Sequence, residues 1–226
     1  MLQFDIIPLI FVGLIFYKLL DIVINFLLKF YKSSENNKLL RYTYISLFAT
    51  LYFSITGTIN YKHFENCIDM NDQYDTRRLK ISFALFISYI LYDMIFNEIA
   101  CIYYSHHFIT SFPLILAIVI DHKETIYITI SLFITEYSTV ILNLIYLSTG
   151  KIKAFLEIIF AFIFFFVRPV YISYILIFLI KCIPNDPIDI LSHIVLMIIV
   201  LILFVINIYW FICICFKIYK KIIKIK

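Results

Sequence analysis

Residues 190–215 read ILSHIVLMIIVLILFVINIYWFICIC, a run of 26 residues without aspartate, glutamate, lysine or arginine. A helix of about 20 mainly apolar residues is long enough to cross the hydrocarbon core of a bilayer. The run therefore predicts a membrane-spanning helix near the end of the chain.

The composition extends this prediction to the whole chain of 226 residues. It is 63% hydrophobic and 15% charged, whereas an average soluble domain is roughly 25% charged. A soluble fold of this size could not bury so much apolar surface. The apolar runs are continuous and the chain has only 3 glycines, which argues against the alternating strands of a membrane barrel. The expected fold class is an all-α membrane bundle.

Seven stretches of the chain are candidate membrane spans. The fourth is short and contains Pro113, so a tilted or re-entrant helix is the alternative to a full span. Two prolines in the segment Cys182–Pro187 predict a break before the last span, because proline cannot continue a helix. The predicted spans are 6–28, 39–59, 79–97, 105–120, 125–147, 154–180 and 190–215.

The basic residues predict the orientation. With seven spans, 11 of the 19 lysines and arginines lie on one side of the membrane and 6 on the other, while Lys18 and Arg168 lie inside spans. Because cytosolic loops carry the excess of basic residues, the C-terminus is expected in the cytosol and the N-terminus on the opposite side. No basic residue precedes the first span, which therefore reads as a retained helix. Basic residues at span ends do not indicate a nucleic-acid partner.

Ionisable residues inside the spans are the first candidates for a functional site, because they are costly in lipid and usually face a bundle interior. Lys18 and Asp21 are three residues apart and are expected to pair on one helix. Asp93, Glu136 and Arg168 lie in three different spans, and facing one another would offset much of their cost. We therefore expect these three to converge on one polar interior. The alternative is an ion-pair network that only sets the register of the helices.

Helical spacing connects other polar residues with these three. Tyr89, Asp93 and Asn97 are four residues apart, so their side chains share one face of the third span. Pro169 follows Arg168 directly, and the sixth span is expected to kink there.

Two adjacent histidines, His106 and His107, lie at the beginning of the fourth span, 13 and 14 residues after Asp93. Histidine accepts a proton near neutral pH, so one of them could deprotonate an attacking amine or hydroxyl while a carboxylate orients it. Adjacent helical residues point about 100° apart, so only one ring can face the interior directly. A pair that anchors the helix end at the headgroups is one alternative. A metal site is another, although the other histidines form no grouped spacing.

Together these motifs resemble the TLC-domain family, which includes ceramide synthases, the translocating-chain-associated membrane protein and less understood proteins of lipid homeostasis. The resemblance covers about residues 40–216. In chain order it is carried by Ser88–Asp93 (SYILYD), His106-His107, Thr135–Thr139 (TEYST) with Asn143, and Phe164–Arg168 (FFFVR).

The resemblance is to the shorter branch of the family, which consists of the TLC domain alone. Ceramide synthases carry an acidic cluster in the span after the histidine pair, and many carry a soluble insertion; this chain has neither. The resemblance implies a six-helix TLC-like domain, 39–216, around a central cavity for an acyl chain. The segment 1–38 would add an N-terminal span with a cytosolic loop, and 217–226 a basic cytosolic tail.

The resemblance also implies roles for individual residues. His106 and His107 match positions implicated in acyl transfer, and Asp93 matches the acidic residue that precedes them. Neither a metal nor a cofactor is implied; membrane lipids would be the partners and acyl-CoA a possible co-substrate. The polar network of the cavity is expected to contain Glu136, Asn143, Arg168, Tyr89 and Ser138.

Three functions from different classes stay open on the sequence. One is acyl transfer from acyl-CoA to an amine or hydroxyl of a lipid, expected in the endoplasmic reticulum with a lumenal N-terminus. Another is a non-catalytic lipid-binding, lipid-sensing or cargo-escort protein with the same cavity, which the missing acidic cluster favours. The third is a transporter with a proton path along the buried acids, although the spans show no matching broken halves.

Overall fold

The computed structural model of the chain describes residues 6–30, 37–66, 77–97, 101–119, 123–181 and 187–225. Nearly all of these residues are helical and none of them forms a strand, which confirms the predicted all-α fold. The break before the last span was predicted at Cys182–Pro187; 182–186 lie outside the described residues, and Pro187 is the first residue of the last helix. The helices are α1 (Ile6–Phe30), α2 (Asn37–Asn66), α3 (Arg77–Phe96), α4 (Cys101–Val119), α5 (Lys123–Thr135), α6 (Tyr137–Leu147), α7 (Gly150–Phe165), α8 (Tyr171–Lys181) and α9 (Pro187–Ile225), with a π-helical turn, Phe166–Val170, between α7 and α8.

Five helical stretches within the described residues are long and apolar enough to cross a membrane. Each overlaps a predicted span. The predicted fourth span corresponds to a shorter apolar helix, Tyr104–Val119, and the second to α2, which is more polar than the others. The five stretches are Ile6–Lys29, Arg78–Phe96, Thr125–Leu147, Gly150–Lys181 and Ile190–Lys221.

The polar side chains of α2 form hydrogen bonds within their own helix. Thr50, Ser54 and Thr58 each donate to the carbonyl oxygen four residues earlier, over 2.7–2.9 Å. Thr43 and Asn60 do the same over 2.8 and 2.7 Å. Polar groups in lipid must find partners inside the protein. These bonds therefore make α2 compatible with a bilayer despite its lower hydropathy.

The chain forms two compact units, Met1–Glu136 and Tyr137–Lys226. In the first unit, α3 packs against α1, α2 and α4, and α5 packs against α2 and α4. Aromatic rings of this size contribute large buried areas and prefer tilted or edge-to-face contacts. Four buried rings, with centroids 4.4–5.6 Å apart, form the centre of this packing: Phe53, Phe83, Phe86 and Phe133.

Two glycines allow close contacts between helices of the first unit. A Cβ added to Gly13 of α1 would lie 2.7 Å from the Cβ of Ser88 on α3, and the Ser88 hydroxyl donates to the Ile10 carbonyl over 3.0 Å. A Cβ on Gly57 of α2 would lie 2.8 Å from that of Phe133 on α5. Small residues at such points let helix backbones approach closely, which favours helix association in lipid.

The second unit is built around α9, which packs against α7, α8 and the π-helical turn, while α6 packs against α7. The π-helical turn contains Pro169, whose missing N–H interrupts the α-helical hydrogen-bond pattern. The irregularity expected beside Arg168 therefore takes the form of one wider turn. The basic segment that begins at Lys217 continues α9 as a helix to Ile225.

Candidate functional site

His107 of α4 contacts Asp93 of α3. Its Nε2 lies 2.8 Å from the Asp93 Oδ2, and the two side chains are 15% and 16% exposed. Asp93 lies in the last turn of α3 and His107 near the beginning of α4. The contact therefore joins the adjacent ends of two consecutive helices.

Asn97 holds the other oxygen of the same carboxylate. Its side-chain amide donates to Asp93 Oδ1, and its backbone N–H donates to the Asp93 carbonyl over 3.1 Å. The carboxylate is thus held on one side by Asn97 and on the other by His107. Asn97 is not among the predicted site residues, although its four-residue spacing from Asp93 was the signal that could have placed it there.

The contact with Asp93 determines which nitrogen of His107 can act as a base. An ionised carboxylate only accepts hydrogen bonds, so Nε2 of the neutral ring carries the hydrogen and Nδ1 has the free electron pair. No described residue donates a hydrogen bond to this Nδ1. The arrangement can accept a proton at Nδ1 while Asp93 stabilises the positive charge that develops on the ring.

The end of α3 is bound by tyrosines of its neighbours. Tyr104 of α4 donates from its hydroxyl to the Met94 carbonyl, and Tyr42 of α2 donates to the Phe96 carbonyl, each over 3.0 Å. The last carbonyls of a helix lack partners inside the helix. These two bonds supply partners and hold the segment that carries Asp93 against α2 and α4.

Tyr89 lies one turn before Asp93 on the same face of α3. It is buried, and its hydroxyl donates to Ser46 Oγ of α2 over 2.9 Å. Glu136 is also buried, with 7% of its surface exposed.

Arg168 lies on the π-helical turn of the second unit and is 5% exposed. Its Nε donates to Ser138 Oγ over 2.6 Å, and its terminal nitrogens donate to Thr139 Oγ1 and Asn207 Oδ1 over 2.9 and 3.3 Å. The guanidinium also lies 5.5 Å from the centre of the Phe164 ring. Asn207 was missed from the sequence, because a single asparagine in an apolar run has no spacing partner.

The family model described as the TLC domain matches residues 35–216 of the 226-residue chain. The chain belongs to the TLC-domain family. The match confirms the resemblance carried by the motifs, and together with the apolar helices it identifies an integral membrane TLC-domain protein. Comparisons with curated proteins and with solved structures found no match.

The predicted site residues of this TLC-domain protein divide between its two units. Contacts join His107 to Asp93 in the first unit and Arg168 to Ser138 in the second. The ring of His106 has its centroid 5.8 Å from that of His107. The first unit contains Tyr89, Asp93, His106, His107 and Glu136, and the second contains Ser138, Asn143 and Arg168.

Several expectations about this TLC-domain protein stay predictions. They are the convergence of Asp93, Glu136 and Arg168, the central cavity, and the catalytic roles of the histidines. Among the described residues, no group of three or more histidines, cysteines or acidic residues is placed to hold a metal ion.

The ion pair expected on the first helix of the TLC-domain protein is present and includes a third residue. Lys18 Nζ lies 3.3 Å from Asp21 Oδ2, and Arg41 Nε, from α2, lies 2.7 Å from Asp21 Oδ1. On the sequence, Arg41 reads as a topology signal at a span end. The structure shows that it also pairs with the Asp21 carboxylate.

Proposed function

We propose that this TLC-domain protein acts in sphingolipid or phospholipid homeostasis by transferring an acyl group from acyl-CoA to an amine or hydroxyl of a lipid. The observation that supports the proposal is the 2.8 Å contact between His107 Nε2 and Asp93 Oδ2. A hydroxyl is a weak nucleophile, and an amine loses a proton when it attacks a carbonyl carbon, so an adjacent base held by a third group activates either one. His107, with Asp93 and Asn97 behind it, has this arrangement.

The proposed reaction uses Nδ1 of His107 as the base. Nδ1 takes the proton of the acceptor while the acceptor nitrogen or oxygen bonds to the carbonyl carbon of the thioester. The tetrahedral intermediate collapses with cleavage of the carbon–sulfur bond, and the imidazolium returns the proton to the sulfur, so that coenzyme A leaves as a thiol. Asp93 stabilises the imidazolium, and Asn97 keeps the carboxylate oriented. His106, whose ring adjoins that of His107, is the second candidate for the base.

We propose the endoplasmic reticulum as the compartment, with a lumenal N-terminus and a cytosolic C-terminus. The distribution of lysine and arginine among the loops supports this orientation. The connection between α3 and α4 would then face the cytosol. Asp93 and His107 would lie near that side, from which acyl-CoA would enter.

Lipid mass spectrometry on membranes with and without the protein tests the proposal. We expect a class of acylated lipids to fall when the protein is lost and to return when the wild-type chain is expressed. A variant with both His106→Ala and His107→Ala should not restore that class at normal protein level. Full restoration by the double variant would remove the catalytic role.

A non-catalytic lipid-binding, lipid-sensing or cargo-escort function is the second candidate. Ser138 and Thr139 lie in the segment where ceramide synthases carry their acidic cluster, and here both accept hydrogen bonds from Arg168. Their bonds therefore hold a side chain of the protein, which favours a structural role for this segment. Lipids that co-purify with the protein, without any turnover of acyl-CoA, would support this candidate.

A further inference from the structure

Asp21 is a buried carboxylate on α1 that pairs with two cations. Its side chain is 6% exposed, and the nitrogens of Lys18 and Arg41 lie 3.3 and 2.7 Å from its two oxygens. One carboxylate against two cations leaves one positive charge uncompensated within this group. A net charge in an apolar span is costly unless a partner or water reaches it. The group therefore favours an anion as a further partner.

Arg41 forms its ion pair with Asp21 through Nε and is partly exposed. Its side chain is 22% exposed, and no described residue bonds to the terminal nitrogens. The guanidinium has five donors in a planar fork that fits phosphate and carboxylate oxygens. The Tyr42 ring lies 5.4 Å from the guanidinium carbon and limits its freedom. The exposed part of the side chain could therefore contact a phosphate while Nε stays beside Asp21.

Lys18 connects this group with the end of α3. Its Nζ lies 4.5 Å from the centre of the Phe96 ring, and its side chain is 47% exposed. The Phe96 carbonyl accepts the hydrogen bond from Tyr42. Phe96 directly precedes Asn97, whose side chain donates to the Asp93 carboxylate. The two cations and the His107–Asp93 pair thus adjoin the same helix end.

We propose that Lys18 and Arg41 bind the phosphate of a substrate, with Asp21 holding the two cations in place. The inference rests on the proposed function, because the phosphate would belong to the acyl-CoA donor or to an anionic lipid acceptor. Lys18 and Asp21 lie on α1, before residue 35, where the family match begins. The site is therefore assigned from this chain's own contacts.

Binding of defined probes to the purified full chain in nanodiscs tests the proposal. The lipid arm compares phosphatidic acid with diacylglycerol of the same acyl chains, which differ only in the phosphate. The donor arm uses coenzyme A in solution. Native mass spectrometry or a fluorescent derivative of each probe gives the dissociation constant.

Arg41→Gln and Lys18→Gln should each weaken binding of the phosphate-bearing probe about tenfold, the loss expected for one charge-assisted hydrogen bond. Asp21→Asn should retain or strengthen it, because the asparagine keeps an acceptor oxygen beside the cations and removes the negative charge that opposes an anion. Lys29→Gln, an exposed lysine near the end of the same helix, is the matched control and should leave binding unchanged. Lys18 is half exposed, so its variant remains informative if Arg41→Gln fails to accumulate.

The outcome assigns the source of the phosphate or overturns the site. If Arg41→Gln and Lys18→Gln weaken the binding of phosphatidic acid, the phosphate belongs to a lipid headgroup. If they weaken the binding of coenzyme A, the phosphate belongs to the acyl donor. Equal binding of phosphatidic acid and diacylglycerol, with no effect of Arg41→Gln or Lys18→Gln on either phosphate probe, overturns the proposal.

Binding and turnover separate this inference from the proposed function. His107→Ala should bind the phosphate probe as the wild type does, because His107 contacts Asp93 and not the cations in this arrangement. Charge-dependent binding without acyl transfer by the wild type would refute the proposed function alone. If Arg41→Gln and Lys18→Gln change neither acyl transfer nor the binding of the phosphate probes, the phosphate site alone is refuted.

Discussion

In the unit Met1–Glu136 the imidazole of His107 lies against the carboxylate of Asp93. In the unit Tyr137–Lys226 the guanidinium of Arg168 donates to two hydroxyl oxygens and one amide oxygen. Imidazole gains and loses a proton near neutral pH, whereas guanidinium stays charged throughout the physiological range. The first arrangement can transfer a proton, and the second can only hold a charge in place.

The two arrangements also differ in burial and in the elements they join. Arg168 is buried at 5% exposure and connects the π-helical turn with α6 and α9. His107 and Asp93 are partly exposed and connect two helix ends. A reaction needs access for a substrate, so we associate the reaction with His107 and Asp93. We associate the packing of the helices with Arg168. Three substitutions test this division, and a fourth tests the helix packing of the first unit.

The largest effect is expected at His107. His107→Gln removes the proposed base, and loss of a general base lowers the rate by about 10²–10⁴-fold. His106→Gln, at the adjacent position, is the control and should lower the rate less than about tenfold if His107 is the base. The rate of acylated lipid formation by purified protein is the measurement. Equal losses in the two variants would contradict the assignment to His107.

The next effect is expected at Arg168. Arg168→Met keeps much of the length of the side chain but removes the donors to Ser138, Thr139 and Asn207, and we expect about 3 kcal/mol of destabilisation from these buried groups. Thermal unfolding in detergent measures it. Lys153→Met, an exposed lysine on α7 of the same unit, is the control. A stable but inactive Arg168→Met variant would show that Arg168 acts in the reaction rather than in holding the helices together.

A smaller effect is expected at the contact between α1 and α3. Gly13→Ala adds a Cβ close to the Ser88 side chain, and such overpacking costs about 1–3 kcal/mol. Combining it with Ser88→Gly should recover part of the loss by clearing the space, and thermal unfolding measures both. Ile15→Ala, at a 60% exposed position of α1, controls for the helix itself. No loss in Gly13→Ala would refute the close contact.

The smallest effect is expected at an exposed cation of the second unit. Lys221 Nζ lies 2.7 Å from Glu157 Oε1, and the lysine side chain is 51% exposed. Ion pairs in contact with solvent contribute about 0–1 kcal/mol, so Lys221→Gln should shift the unfolding temperature little. If Lys221→Gln destabilises the protein as much as Arg168→Met does, burial does not explain the difference expected between the two cations.

The helices and several candidate residues could be predicted from the sequence because local patterns indicate both. Long apolar runs predicted the helices, and the spacing of Lys18 and Asp21 predicted their pair, which the structure confirms. Spacing could not supply Arg41 or Asn207, because their partners are distant in the chain. Hydropathy likewise does not show that hydroxyl groups of α2 donate hydrogen bonds to the backbone of their own helix.

The sequence alone predicted a helical membrane protein of the TLC-domain family and singled out Asp93 and the two histidines as candidates. Apolar runs of sufficient length must form helices in lipid, since only internal hydrogen bonds satisfy the backbone there. The tertiary structure decided that His107 contacts Asp93 and that Arg41 joins Lys18 at Asp21. These contacts depend on the rotation and approach of neighbouring helices, which packing between distant segments sets and the pattern of a single helix does not contain.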